Sequence, residues 1–274
     1  MLARSMAGLA VLSASLIGFG EDRPEPPVVT PLRHAHAHND YEHDRPLFDA
    51  LDCGFCSVEA DIFLRDGKLL VGHTASSLKP DRTLERLYLD PLRERVKANG
   101  GRVYRDGPPF FLLIDVKTEA DRTYAALDVV LAGYADLLSV VRNGKFEERA
   151  VTVVVSGNRA SERIAAQPVR YAGIDGRLTD LDADVPAHLL PWISDNWTKE
   201  FGWRGEGPMP EAERAKLRQI VQKAHGKGRL VRFWATPEKV EVWKELRAAG
   251  VDLINTDKLA DLRRYLLESA GPQE

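Results

Sequence analysis

The chain has 274 residues, 44% of them hydrophobic and 29% charged, with a formal net charge of −3. That is enough for one well-buried domain at the size of a single (β/α) barrel. No stretch forms a basic face, which argues against nucleic acid as a partner. Residues 1–20 stand apart. Arg4 precedes an apolar run from Met6 to Gly20, and charge returns at Glu21 and Asp22. The run is short for a membrane span and has the form of a signal peptide, with Gly18 and Gly20 at a cleavage site. An uncleaved membrane anchor is the alternative. On the first reading the protein is exported (periplasmic or secreted), keeps no stable membrane span, and loses Arg4, which takes its charge from −3 to −4. Residues 21–31, with Pro24, Pro26, Pro27 and Pro31, read as a Pro-rich linker. The folded domain is expected over 32–268, with a tail at 269–274.

Eight strands are predicted in order: Leu32–His38, Ser57–Phe63, Phe110–Val116, Val151–Ser156, a weak Val169–Gly173, Leu189–Ile193, Leu230–Trp234 and Asp252–Thr256. A short hairpin arm, Leu69–Gly72, follows the second across the turn Asp66-Gly67. Helical patterns lie between them at Pro46–Asp52, Thr83–Lys97, Ala120–Val141, Arg159–Ala166, Pro210–Lys227 and Pro237–Ala249. Several have proline near the start or glycine past the end. Strand-helix alternation implies a parallel sheet, and eight repeats predict closure into a TIM-type (β/α)8 barrel. Asp175–Pro186 shows no convincing helix, and an open doubly wound sheet is the alternative. Cys53 and Cys56 flank the point where a helix gives way to a strand; the preferred reading is two unpaired, packed thiols, the alternative a small disulfide.

The second strand carries Val58-Glu59-Ala60-Asp61-Ile62. Residues two apart share a face, so Glu59 and Asp61 project together from an apolar strand. Such a pair is costly to desolvate without a cation between its members; a pair on a solvated edge strand is the alternative. The first strand ends His36-Ala37-His38-Asn39-Asp40, and the third ends with a one-face pair, Asp115 and Lys117. His73 follows the hairpin arm. Three successive strands thus deliver polar pairs to one rim, which solvated surface does not explain. Glu59, Asp61 and Asp115 offer oxygen ligands suited to a divalent cation, Mg²⁺ first and Ca²⁺ second, and poor for zinc. His38 and His73 titrate near neutrality and can exchange protons. Phosphodiester cleavage needs such parts: a cation at the non-bridging oxygen, a base and an acid.

These residues resemble the PLC-like phosphodiesterase superfamily, which includes the glycerophosphodiester phosphodiesterases and the sphingomyelinase D toxins. The pattern is most similar to the fungal and bacterial group related to the altered-inheritance-of-mitochondria protein. The likeness rests on the run from His36 to Tyr41, on Ser57 to Asp61, on Asp66-Gly67 through Val71-Gly72-His73, and on Arg82-Thr83-Leu84 to Leu92. Leu113 to Lys117, Phe233-Trp234-Ala235-Thr236 and Asn255-Thr256-Asp257 complete it. The resemblance implies a metal-dependent TIM barrel, with Glu59, Asp61 and Asp115 as metal ligands and His38 and His73 as the acid/base pair. It makes Lys117 a phosphate or carboxylate partner, and His36, Asn39 and Trp234 are further candidates for substrate contact. A small or lipid-derived phosphodiester is the implied substrate. Asn39 replaces the usual arginine, Thr74 the usual acid and Asp115 the usual glutamate, which separates the chain from the glycerophosphodiesterase pattern at the level of substrate. Two alternatives use the same rim: an amidohydrolase-like site with His36 and His38 as metal ligands, and a barrel that binds phosphorylated ligands without turnover.

Overall fold

The computed structural model describes residues 29–269. The expected leader, residues 21–28 of the linker and residues 270–274 of the tail lie outside the described residues. In chain order the elements are β1 (Leu32–Ala37), α1 (Phe48–Asp52), β2 (Phe55–Arg65), β3 (Lys68–Val71), α2 (Asp90–Ala98), β4 (Phe110–Val116) and α3 (Ala120–Ala132). They continue as β5 (Val140–Arg142), β6 (Lys145–Glu147), β7 (Val151–Gly157), α4 (Ser161–Ala166), β8 (Val169–Arg170), β9 (Ala172–Gly176) and β10 (Trp192–Asn196). Last come α5 (Trp197–Glu200), α6 (Glu211–His225), β11 (Leu230–Trp234), α7 (Val240–Ala249), β12 (Leu253–Thr256) and α8 (Leu259–Ser269).

Strands β1, β2, β4, β7, β9, β10, β11 and β12 pair in parallel, and β1 bonds both β12 and β2, so the sheet closes on itself. This is the (β/α)8 barrel expected, and the open sheet is excluded. β3 hangs antiparallel on the long second strand, as its turn implied. Because side chains alternate along a strand, the interior splits into layers. Toward the amino ends Leu113, Val154, Trp192 and Leu253 form a dry plug backed by Phe111 and Leu230. Toward the carboxyl ends the interior carries His36, Glu59, Asp175, Arg232 and Asn255, all buried. The opposite strand faces pack on the helices in the main core.

Four elements depart from expectation. The weak fifth strand, expected over Val169–Gly173, is split: Val169–Arg170 is β8, outside the barrel, and the barrel strand is β9 at Ala172–Gly176. The helix predicted to reach Val141 stops at Ala132, capped by Gly133. Beyond it β5 and β6 form a hairpin whose turn residues, Asn143 (φ 48°) and Gly144 (φ 77°), take the left-handed pair that a two-residue hairpin favours. With β8 they make a separate three-stranded sheet. The sixth strand begins at Trp192 rather than Leu189, because the Leu189 and Leu190 amides are spent on the Pro186 carbonyl in a turn. The final helix α8 was not anticipated. Asp175–Pro186 contains no α-helix, as read, only a short 3₁₀ turn at Leu178–Asp180. Both cysteines are free, and burial pushes the Cys56 thiol up to about 12. No helix among the described residues is long and apolar enough to cross a membrane.

Candidate active site

A cavity of about 230 Å³ opens at the carboxyl ends of the strands. It is lined by His38, Asn39, Glu59, Asp61, His73, Asp115, Lys117, Ser156, Arg177, Arg232 and Trp234. The register that aligns Asp61 with Asp115 across β2 and β4 brings the carboxylates together. Glu59, Asp61 and Asp115 each offer an oxygen, all within 4.8 Å of one another. Lys117 Nζ lies 3.0 Å from Asp61 Oδ2 and 3.2 Å from Asp115 Oδ1. Asp61 Oδ1 is buried and accepts no hydrogen bond. A buried, unpartnered carboxylate oxygen facing two further carboxylates fits a divalent cation. Gly157 (φ 67°) supplies the room: a Cβ there would collide with Asp115 Oδ1 and the Val116 carbonyl.

Burial raises the Asp61 carboxyl to about 6, helped by the charge of Glu59 and opposed by Lys117 and the Tyr41 hydroxyl. Asp115 shifts the same way, through burial against the pull of Lys117. Glu59 goes the other way. Burial works to raise it, but Arg232, at 2.6 Å, and the bond from His36 outweigh burial and hold it well below the carboxylate range. Burial and the Arg232 charge depress His36 to about 4. His36 is therefore neutral at pH 7. It donates Nε2–H to Glu59 at 3.3 Å and takes the Ser57 hydroxyl on Nδ1 at 2.7 Å.

The two rim histidines are held differently. His38 Nδ1 donates to Asp257 Oδ1 at 2.7 Å, and Asp257 is fixed in turn by its amide bond to Glu238. Burial disfavours the imidazolium, but the Asp257 bond and the Glu59 charge prevail, so His38 is raised above its ordinary value. Tyr41 Oη donates to Asp61 Oδ2 at 2.6 Å and lies 3.0 Å from His73 Nδ1. With its one proton directed to the carboxylate, Tyr41 accepts from His73 Nδ1–H, so in the neutral ring Nε2 is the nitrogen free to accept. Opposite them Arg177 stacks on Trp234, 4.9 Å from the ring centroid, and bonds Asp175 Oδ2 at 2.8 Å.

A family model described as the AIM6-like phosphodiesterase domain matches residues 28–172, more than half of the chain. The chain belongs to the AIM6-like phosphodiesterase family. A model of the glycerophosphoryl diester phosphodiesterase family matches residues 231–260, from β11 into α8. The altered inheritance of mitochondria protein 6 homolog of Arthroderma benhamiae is 29% identical over 84% of this chain and 82% of its own length. Altered inheritance of mitochondria protein 6 of Eremothecium gossypii is also 29% identical, over 85% of this chain and 69% of its own. Among solved structures, a glycerophosphodiester phosphodiesterase from Parabacteroides distasonis superposes with a TM-score of 0.52 at 13% identity, covering 88% of this chain and 99% of that one. Another from Agrobacterium tumefaciens gives 0.50 at 16%, covering 88% and 100%. These structures share the barrel fold.

Of the sequence candidates, His38, Asn39, Glu59, Asp61, His73, Asp115, Lys117 and Trp234 all reach this AIM6-like rim cavity. His36 does not. It is fully buried beneath the floor, edge-on to Trp192, and positions Glu59 instead of meeting substrate. An amidohydrolase-like metal pair lacks one member: both nitrogens of His36 are spent, on Ser57 and Glu59. Asn158 bonds the Thr118 carbonyl and Asn196 caps α5, so neither joins the site. Arg177, Arg232, Ser156 and Tyr41 were missed. Arg232 had a signal, a lone charge on the inward face of an apolar strand. Arg177 had one too, its place two residues after Asp175 at a strand end; Ser156 and Tyr41 had none before closure brought them together.

Proposed function

We propose that this chain is a metal-dependent phosphodiesterase that cleaves a glycerophosphodiester or phospholipid-headgroup type of bond. The observation that carries the proposal is the free, buried Asp61 Oδ1 among three converging carboxylates, flanked in one cavity by the imidazoles of His38 and His73. Glu59, Asp61 and Asp115 would hold the cation, with Mg²⁺ preferred for oxygen donors that leave room for substrate phosphate. Such a cation supplies positive charge to the non-bridging phosphate oxygens. Lys117 and Arg177 supply fixed positive charge from two sides. His73 Nε2 accepts the proton of the attacking hydroxyl, and His38, whose charged form Asp257 supports, gives its Nε2 proton to the leaving alcohol oxygen. One P–O bond forms as the other breaks. The cavity encloses the phosphate and a short alcohol and leaves the larger substituent at the mouth.

The test is hydrolysis of a phosphodiester panel, including bis(p-nitrophenyl) phosphate, glycerophosphocholine and lysophosphatidylcholine, with product identification, in Mg²⁺, Ca²⁺ or EDTA. Release of an alcohol that EDTA abolishes and Mg²⁺ restores is expected, and Asp61→Asn should lack it. A protein that binds these compounds in Mg²⁺ yet releases no alcohol is a binding barrel, and the enzyme reading then fails. The same proposal puts the chemistry outside the cytoplasm, on the leader-like residues 1–20. N-terminal sequencing of the mature protein should begin near Glu21, and a start at Met1 counts against export.

A further inference from the structure

At the opposite end of the barrel, where the strands begin, lies a cavity of about 280 Å³. Its walls are mostly apolar, with Phe111, Val141, Phe146, Ala172, Pro191 and Leu230, and the one carboxylate on them, Glu148, is bonded by Arg102. The β5–β6 hairpin flanks it with Phe146, which stays 44% exposed although it borders the cavity. The volume approaches the range of small-ligand pockets and is nearly twice that of an apolar cavity of about 150 Å³ able to admit benzene. It shares no residue with the rim cavity.

One side chain there is out of keeping with its surroundings. Arg170, on β8, lines the cavity and is only 5% exposed. Among the described residues it has no carboxylate partner. Its one side-chain hydrogen bond runs from Nη2 to Nδ1 of His188 at 2.5 Å, and its Nε is buried with no partner at all. By accepting at Nδ1, His188 must be the neutral Nε2–H tautomer, so it contributes no negative charge. A buried guanidinium without an anion is costly, and a buried ion with its counter-ion missing is a strained arrangement. The other deeply buried arginines are better compensated: Arg232 pairs with Glu59, and Arg229, though its Nε also lacks a partner, donates to four backbone carbonyls. Arg170 alone among these has a vacant apolar space beside it.

We infer that this cavity is a second binding site, for an amphipathic anion whose carboxylate or phosphate head pairs with Arg170 and whose short hydrocarbon tail fills the apolar walls. The anion supplies the missing countercharge, and the tail covers surface that the plug residues leave open. The inference is independent of the phosphodiesterase reading, since none of its residues belongs to the rim.

The experiment titrates the full-length protein with octanoate, octyl phosphate and 1-octanol by calorimetry, with thermal denaturation in parallel. The two anions should bind about tenfold or more tighter than the alcohol, the worth of one charge-assisted hydrogen bond, and their ranking decides between a carboxylate and a phosphate head. In Arg170→Met the preference for anions should vanish, and the unliganded variant should melt higher than wild type, because an uncompensated buried charge is gone. Ala187→Trp, in the loop that lines the cavity, should block all three compounds, which separates this site from any anion binding at the rim. If wild type binds neither anion, if Arg170→Met keeps the preference, or if Ala187→Trp binds as wild type does, the inference is overturned. An Arg170→Met protein that melts lower, with octanoate failing to stabilise wild type, makes Arg170 a purely structural residue and overturns it equally.

Discussion

His38 and His73 face the same cavity, yet their neighbours hold them differently. Asp257 and Glu59 favour the charged form of His38, and Tyr41 turns the free nitrogen of His73 to the cavity. Replacing either by Ala should lower turnover by about two to four orders of magnitude with metal affinity nearly unchanged, as expected for proton-transfer groups. On the proposed mechanism Asp257→Asn removes the support of the His38 charge, so the alkaline limb of the rate profile, set by loss of the His38 proton, should move to lower pH. A profile in Asp257→Asn that superposes on wild type would show that His38 is not the acid. Gly157→Ala tests the metal. The methyl group must displace Asp115, so metal affinity measured by calorimetry should fall by about 10–100-fold, the usual cost of disturbing a ligand's support. Most of these residues could be read from the chain because residues two apart on a strand share a face. Tyr41 could not, since its partner Asp61 reaches it only through packing of separate elements. Arg177 sits two residues after Asp175 and was hidden because the weak fifth strand was placed too early in the chain.

The strands were legible wherever β-branched runs were bounded by turns, and the same logic went astray where two signals overlapped. Leu137 to Val141 continues an apolar pattern after α3, yet Asn143-Gly144 marks a hairpin turn, and the turn prevails because Gly133 has already ended the helix. Asp175–Pro186 was illegible for a different reason: its order comes from one residue far along the chain. Arg229, 1% exposed, donates to the carbonyls of Asp180, Leu181, Ala183 and Val185, so a segment without regular structure acquires partners for its backbone. Arg229→Met removes all four bonds and leaves the Leu181 and Val185 carbonyls without a donor, which should cost about 2–4 kcal/mol in urea unfolding. Arg229→Lys should recover less than half, since an ammonium cannot reproduce the planar fork. Hydrogen exchange should accelerate first in residues 180–186. Uniform acceleration across the barrel, or a change within about 0.5 kcal/mol, would show that the loop is held by other means.

At the scale of the whole molecule, acid-base balance turns on carboxyl groups folded into the interior. Asp40 follows the rim residues His38 and Asn39 but is fully buried. Its Oδ2 accepts from the Leu47 amide at 2.6 Å and the Tyr88 hydroxyl at 2.9 Å, and its Oδ1 has no partner. Burial raises it from 3.8 to about 7, against the two hydrogen bonds that favour the anion. Because the native state holds this proton more tightly than the unfolded chain, Asp40 favours folding most below about pH 4. That contribution is lost as pH rises through about 7, and amounts to about 4 kcal/mol over the interval at 1.36 kcal/mol per unit. Asp61, raised to about 6, acts in the same sense and His36, depressed to about 4, in the opposite one, so the wild-type profile alone mixes them. The difference between Asp40→Asn and wild type isolates Asp40. Asparagine pays a constant penalty for its amide protons but does not titrate. The variant should therefore gain on wild type steadily between about pH 4 and 7, and the difference should level off above. Urea unfolding at intervals across that range measures it. A difference that is flat with pH means Asp40 is ionised in the native state throughout, and the buried proton assigned to it does not exist.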